Sequence, residues 1–216
     1  ATHINDGMYG KATGKKLTYR IIADCYAINN QINDEWLIRD QTAIVKQMGW
    51  EAKAFAADLI MREGGPNKCV KPFTPEIDVP GPYLGKGNDN EWGEKYAAIL
   101  NGMMGADMAT IEREYDRACQ LEYPGGESGH SYGDADEFWM GLRASFPSAT
   151  FTIHHQIGRD DPMMPPRAAI RWSLQGKHDG WGRFGTPTGA DVYVMGICHA
   201  EFGPWGLRRE FAIFDE

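Results

Sequence analysis

One feature constrains this chain more than any other: residues 1–40 resemble residues 176–215 when the sequence is shifted by 175 positions, without a gap. His3, Gly7, Gly10, Thr13, Gly14, Ile22, Glu35, Ile38 and Asp40 meet His178, Gly182, Gly185, Thr188, Gly189, Ile197, Glu210, Ile213 and Asp215. That is 9 identities in 40, where composition alone gives roughly two or three. Tyr9/Phe184, Leu17/Val192, Ile32/Leu207 and Trp36/Phe211 are conservative pairs beside them. The period is too long for a solenoid and reads as a tandem duplication of a domain.

Each copy has the same form. "KLTYRIIADCYAI" and "DVYVMGICHAEF" are rich in β-branched and aromatic residues, as strands are. "NNQ" and "GPWG" are turn sequences, and "INDEWLIRD" and "LRREFAIFD" are second strands. Each copy is therefore a hairpin ending in Asp. Residues 41–63 read as two short helices around Gly49. Residues 64–91 carry ten Gly or Pro and read as a linker wrapped on a surface. From Trp92 the pattern is helix ("EWGEKYAAILNGMMG"), helix ("ADMATIEREYDRAC", Asp107 as N-cap), an extended stretch, then a third helix. In that third helix Asp134 and Glu137 have capping-box spacing, and Phe138, Leu142 and Phe146 share a face. Four strands close the chain. The expected division is thus 1–63, the C-terminal part of a first copy with trailing helices; 64–91, linker; and 92–216, a complete domain. Three helices on a curved antiparallel sheet form an α+β cone with a pocket in its mouth.

Composition limits what such a cone does. Hydrophobic residues make up 42% of the 216, enough for a sizeable core. A net charge of −8 argues against nucleic acid and anionic membranes as partners. No run of 18 apolar residues occurs, and no signal-like leader is visible. Cys25, Cys69, Cys119 and Cys198 form no CxxC or zinc-spaced cluster, which reads as free thiols in a reducing cytoplasm. His154 and His155 are adjacent, so strand alternation turns only one inward, and no metal site is expected there.

The run "GKHDGWGRFGTPTGADVYV…WGLRREFAIFDE", with "YPGG…YG…FWMGLRASFP" upstream, resembles the SnoaL-like polyketide cyclases of the NTF2-like superfamily. The resemblance implies a cofactor-free enzyme that lines its cone with a His on the penultimate strand, an acid/base Asp on the last and an Asn after the second helix. Anchored on Gly206, His199 falls at the His, Glu122 at the Asn and Ala212 at the Asp. The last is a departure.

The remaining candidates supply acid/base chemistry. Glu122 would abstract a carbon acid's proton, His199 would polarise a carbonyl, and Glu210, on the face of Ala212, would replace the missing Asp. Tyr123, Trp139, Trp172 and His178 are the expected substrate contacts, with His178, like His3, at the loop mouth. Asp24 aligns with His199 and is the candidate of the first copy. The implied activity is cyclase, isomerase or lyase chemistry on a small apolar carbonyl compound through an enolate. The alternative is a non-catalytic ligand-binding or dimerisation module of the same fold. The first copy lacks the elements that would cover its sheet, so a homo-oligomer or a further segment is expected to complete it.

Overall fold

The computed structural model describes residues 1–214. The last aligned pair, Asp40 with Asp215, and the end of the closing FDE therefore fall outside the described residues. Two sheets and five helices follow in the order β1 (Ile21–Ile28), β2 (Gln31–Arg39), α1 (Gln41–Met48), α2 (Ala52–Arg62), α3 (Glu91–Met104), α4 (Thr110–Glu114), β3 (Tyr115–Tyr123), β4 (Glu127–His130), α5 (Tyr132–Ser145), β5 (Thr150–Arg159), β6 (Arg167–Lys177), β7 (Asp191–Gly203) and β8 (Gly206–Phe214). The larger sheet runs β4-β3-β8-β7-β6-β5, and β1 pairs only with β2. All pairings are antiparallel except β3 with β8.

Helices α3, α4 and α5 pack on the concave face of the large sheet and enclose the main core. Asn90 starts α3, its side chain accepting the Trp92 N–H at 3.0 Å, and Glu91 and Glu94 sit where the helix dipole favours negative charge. The expected second helix is much shorter than its sequence suggests. Ile111, Tyr115 and Cys119 recur every four residues, which fits a helix, but Cys119, Leu121 and Tyr123 recur every two and are all buried. Burial against the core selects strand from Tyr115 onward. Asp107 receives the Ala109 N–H instead of standing at the N-cap. In α5 the N-cap is Ser131, and Asp134 reaches back to the His130 N–H at 2.6 Å.

The β1–β2 hairpin lies flat on the outer, convex face of the large sheet. Ile22 and Ile38 pack there with Ile197 and Ile213, flanked by Met195 and Phe211. The chain's own sheet covers the hairpin face that carries Ile22 and Ile38, while Ile21, Ile32 and Leu37 stay exposed. Asp40, 1% exposed, fastens the hairpin's end: it caps α1 at Ala43 N–H and accepts the N–H groups of Gly125 and Gly126 at 2.8 and 2.9 Å. The Pro/Gly-rich segment has little regular structure, but Gly87 bridges Gln156 and so covers the β5 edge.

The loops ahead of the two hairpins share most of their hydrogen bonds. His3 Nδ1 meets Thr13 Oγ1 at 3.0 Å, and His178 Nδ1 meets Thr188 Oγ1 at 3.2 Å. Gly14 and Gly189 both have φ of 69° and both donate N–H to the histidine carbonyl at 2.9 Å. Gly7 bridges Gly10 as Gly182 bridges Gly185.

Candidate functional site

Strand alternation on β8 turns Glu210, Ala212 and Phe214 into the cone, and all three are buried. Around Glu210 converge Tyr96 from α3, Tyr115 and Tyr123 from β3, and Trp139 from α5. Oε1 accepts the hydroxyls of Tyr96 and Tyr115 at 2.7 and 2.9 Å. Oε2 accepts the Tyr123 hydroxyl at 2.9 Å and the Trp139 indole N–H at 3.0 Å. A carboxylate offers about four lone-pair positions, and here each is taken. Burial pushes the Glu210 pKa up, the four donors opposing it, and the net direction is upward. Burial, reinforced by Glu210, lifts Tyr115 and Tyr123 well above the ordinary phenol value, as burial with the neighbouring Cys198 and Glu210 lifts Tyr96. These hydroxyls are firm neutral donors. Behind them Trp172 donates to Cys198 Sγ at 3.0 Å, and burial pushes that thiol far up. Tyr96, Trp139, Trp172 and Leu100 are fully buried, so the cone interior is packed as a core.

Tyr123 and Trp139 thus meet Glu210, and Trp172 packs beside Trp139, but Glu122 and His199 do not join them. Glu122 pairs with Phe211 across β3–β8 and Leu121 with Glu210. One residue of register sends Glu122 to the outer face and Tyr123 inward. There Glu122 meets Arg20 and accepts from Ser128 Oγ at 2.6 Å. His199 stands opposite Ala169 and Phe211, also on the outer face, beside a shallow depression of 350 Å³. It is exposed by area yet crowded by protein atoms, and desolvation lowers its pKa, with Asp24 pulling the other way.

Asp24 faces the outer side of β5 and β6. It accepts from Arg171 Nε at 2.8 Å and lies 3.0 Å from His155 Nδ1, while His155 Nε2 lies 2.9 Å from the Tyr83 hydroxyl. Burial works to raise the Asp24 pKa, but the bonds from His155 and Arg171 outweigh it and hold it low. The Arg171 guanidinium also stacks over Trp36 at 3.8 Å. A bulge between Ile153 and His155 breaks the alternation, so neither histidine faces inward: His154 Nε2 lies 2.7 Å from Ser173 Oγ on the same outer side. Among the described residues no group of three His, Cys, Asp or Glu could hold a metal ion.

His178 lines a different space. A groove of 930 Å³ at the end of the β6–β7 hairpin is lined by Phe146, Phe184, Val192 and Val194 and by Phe73 of the Pro/Gly-rich segment. Phe73 stacks with Tyr193 at 6.4 Å between ring centres. His178 is 7% exposed; its Nδ1 serves the loop, and its Nε2 is buried without a hydrogen-bond partner. Tyr96 and Tyr115, half of the Glu210 shell, and Phe73 carry no local motif that marks them as site residues. Nothing local in the sequence says which carboxylate a buried tyrosine meets.

No family model matches this chain, and no curated protein matches it in sequence. Many solved structures align with part of it. A SnoaL-like polyketide cyclase from Agrobacterium tumefaciens is 16% identical with a TM-score of 0.45, the match covering 59% of this chain and 93% of that one. A candidate SnoaL-like polyketide cyclase from Jannaschia is 10% identical with a TM-score of 0.47, covering 59% and 90%. A candidate ketosteroid isomerase from Shewanella frigidimarina is 14% identical with a TM-score of 0.45, covering 57% and 95%. The resemblance is to the SnoaL-like proteins. The chain's own architecture is α+β, with helices on a largely antiparallel six-stranded sheet.

Proposed function

We propose that this protein is a small-molecule-binding module of NTF2-like form whose ligand lies in the groove beside His178 and not inside the cone. The saturated Glu210 carboxylate carries this reading. A general base needs a lone pair within reach of the proton it takes, and every lone pair of Glu210 already holds a donor. Ala212 stands where the resemblance calls for the acid/base aspartate. The groove offers what a pocket needs: aromatic and aliphatic walls and a few polar groups. Its ligand is a flat, mainly apolar compound with one hydrogen-bonding group.

The probe 1-anilinonaphthalene-8-sulfonate has this chemistry. It should bind the folded protein, and Phe73→Ala and Phe184→Ala should each weaken binding by about tenfold, the effect of losing roughly 1.4 kcal/mol of aromatic contact. Unchanged binding in both variants refutes the groove.

The upward shift of Glu210 favours a second reading, an acid/base enzyme acting on an apolar enolisable carbonyl compound without a cofactor. The substrate would have to displace one of the four donors. Deuterium entry α to the carbonyl of 2-tetralone in D₂O, followed by NMR, tests it. Exchange above buffer that disappears in Glu210→Gln establishes the enzyme and overturns the binding module.

A further inference from the structure

The loop ahead of each hairpin uses one histidine nitrogen. In the first copy His3 serves through Nδ1, and its ring is partly exposed. In the second, His178 makes the same Nδ1 contact with Thr188, but its ring is buried beside Phe146 and Phe184, at 5.6 and 6.4 Å between ring centres. The loop itself therefore does not require a buried Nε2. Yet Nε2 of His178 is buried without a partner, an arrangement folded proteins seldom keep. Thr188 decides what that nitrogen offers. Its Oγ1 accepts the Ala190 N–H at 3.3 Å, and among the described residues the one acceptor for its own proton is His178 Nδ1. A neutral imidazole carries one N–H, so with Nδ1 accepting, the proton sits on Nε2. Four charged side chains also line the groove. Lys177 and Asp191 neutralise each other at 2.6 Å, and the exposed Glu76 bonds Thr74. Lys71 donates to the Pro66 carbonyl and meets no carboxylate among the described residues.

We infer that the groove takes a planar aromatic carboxylic acid, its carboxylate accepting from the His178 Nε2–H and facing the Lys71 ammonium, an assignment that rests on the groove being the ligand site. An ionised carboxylate only accepts hydrogen bonds, so it suits a groove whose unmatched groups are donors. The rings of Phe73, Phe146 and Phe184 suit the flat part of the molecule. Charge-assisted hydrogen bonds are about twice as strong as neutral ones, which offsets the desolvation of the anion. Nε2 is shut off from water, so the acid turns a ring aside to reach it. Phe184, 36% exposed, has the room to move and still walls the groove once turned. In the first copy Tyr9 takes the place of Phe184 and stacks on Phe55 instead of on the histidine. The acid therefore binds once per chain.

Isothermal titration calorimetry with 2-naphthoate and its methyl ester separates the acid from the groove. The acid should bind once per chain and about tenfold tighter than the ester. His178→Asn keeps an amide where Nδ1 meets Thr188 and removes Nε2. It should weaken the acid by about tenfold or more and the ester less. Lys71→Met should take away part of the acid's advantage, and Phe73→Ala should weaken both compounds alike. Acid and ester bound equally, both sensitive to Phe73→Ala, keep the groove and overturn the acid. So does an advantage that survives His178→Asn. Binding of neither compound, or binding indifferent to Phe73→Ala, overturns the groove and the acid together. The wild-type chain gives a test that does not depend on a variant folding. Nitrogen NMR of its imidazoles should show His178 protonated on Nε2 and bare on Nδ1, with the Nε2 resonance moving as 2-naphthoate is added. A proton on Nδ1 alone, or an Nε2 resonance indifferent to the acid, refutes the inference.

Discussion

Replacing Glu210 separates the part played by its charge from the part played by its shape. In Glu210→Ala four buried donors lose their acceptor: three tyrosine hydroxyls and the Trp139 N–H. A buried donor left unmatched costs about 1–3 kcal/mol. Tyr115 can turn toward Met103 Sδ, already 3.8 Å away, but an indole N–H cannot rotate. The expected loss is about 3–6 kcal/mol before any cavity term, a large share of the roughly 5–15 kcal/mol that holds a domain folded. Glu210→Gln is much milder, about 0–2 kcal/mol. Its carbonyl can take the place of Oε2 and keep Trp139 and Tyr123, while its NH₂ donates to the Tyr96 and Tyr115 oxygens once those hydroxyls rotate. Urea unfolding followed by tryptophan fluorescence reads both, since Trp139 and Trp172 are fully buried. The two variants should also differ from wild type in pH dependence. The folded pKa of Glu210 lies above the ordinary 4.5, so the native state keeps its proton to a higher pH than the unfolded chain. Its contribution is fully present below 4.5 and is lost as pH rises through the folded value. Glu210→Gln should remove that decline. Equal losses for Ala and Gln, or a loss below about 1 kcal/mol for Ala, would refute the hydrogen-bond hub.

Asp24→Asn should loosen the hairpin, because it leaves Arg171 and His155 beside a neutral amide at a site where the Asp24 and Arg171 side chains are only 12% and 13% exposed. Breaking such a pair costs about 3–5 kcal/mol, read by thermal melts. Since the folded pKa of Asp24 is depressed, its stabilisation is present above the ordinary aspartate value and is lost as pH falls through the folded one; the Asn variant should lack that acid-sensitive part. Gly196→Ala should displace Trp172, whose indole fills the space of the new Cβ, at about 1–3 kcal/mol, with an altered tryptophan emission spectrum as the check.

The strands and the hairpins were readable because β-branched residues, turn sequences and glycines act locally. The positions of Glu122, His199 and His154 were not, and the causes are alike. A strand's pattern defines two faces without saying which is inner, and one residue of register or one bulge exchanges them. On β7 the sequence separates His199 and Ile197 from Cys198, but the whole face is apolar enough to point either way, because the hairpin buries the outer side as well. Glu210 could be assigned to the face of Ala212, but its saturation depends on Tyr96 and Tyr115, which lie 114 and 95 positions away in sequence. Over residues 106–119 a spacing of four fits helix and strand alike, so the sequence does not place the change to strand at Tyr115.

Asp40 has a consequence for how the molecule comes apart. One carboxylate holds the first turn of α1 and, 85 and 86 residues later, the turn between β3 and β4. Opening either end strands a carboxylate that is almost wholly buried, so neither end has a cheap excursion of its own. The fraying of α1 and of that turn becomes a single event with a single free energy. A cooperative unit of this chain is therefore not a contiguous stretch of sequence: it joins a helix near one end to a turn past the middle, and a protease or a denaturant meets the two together.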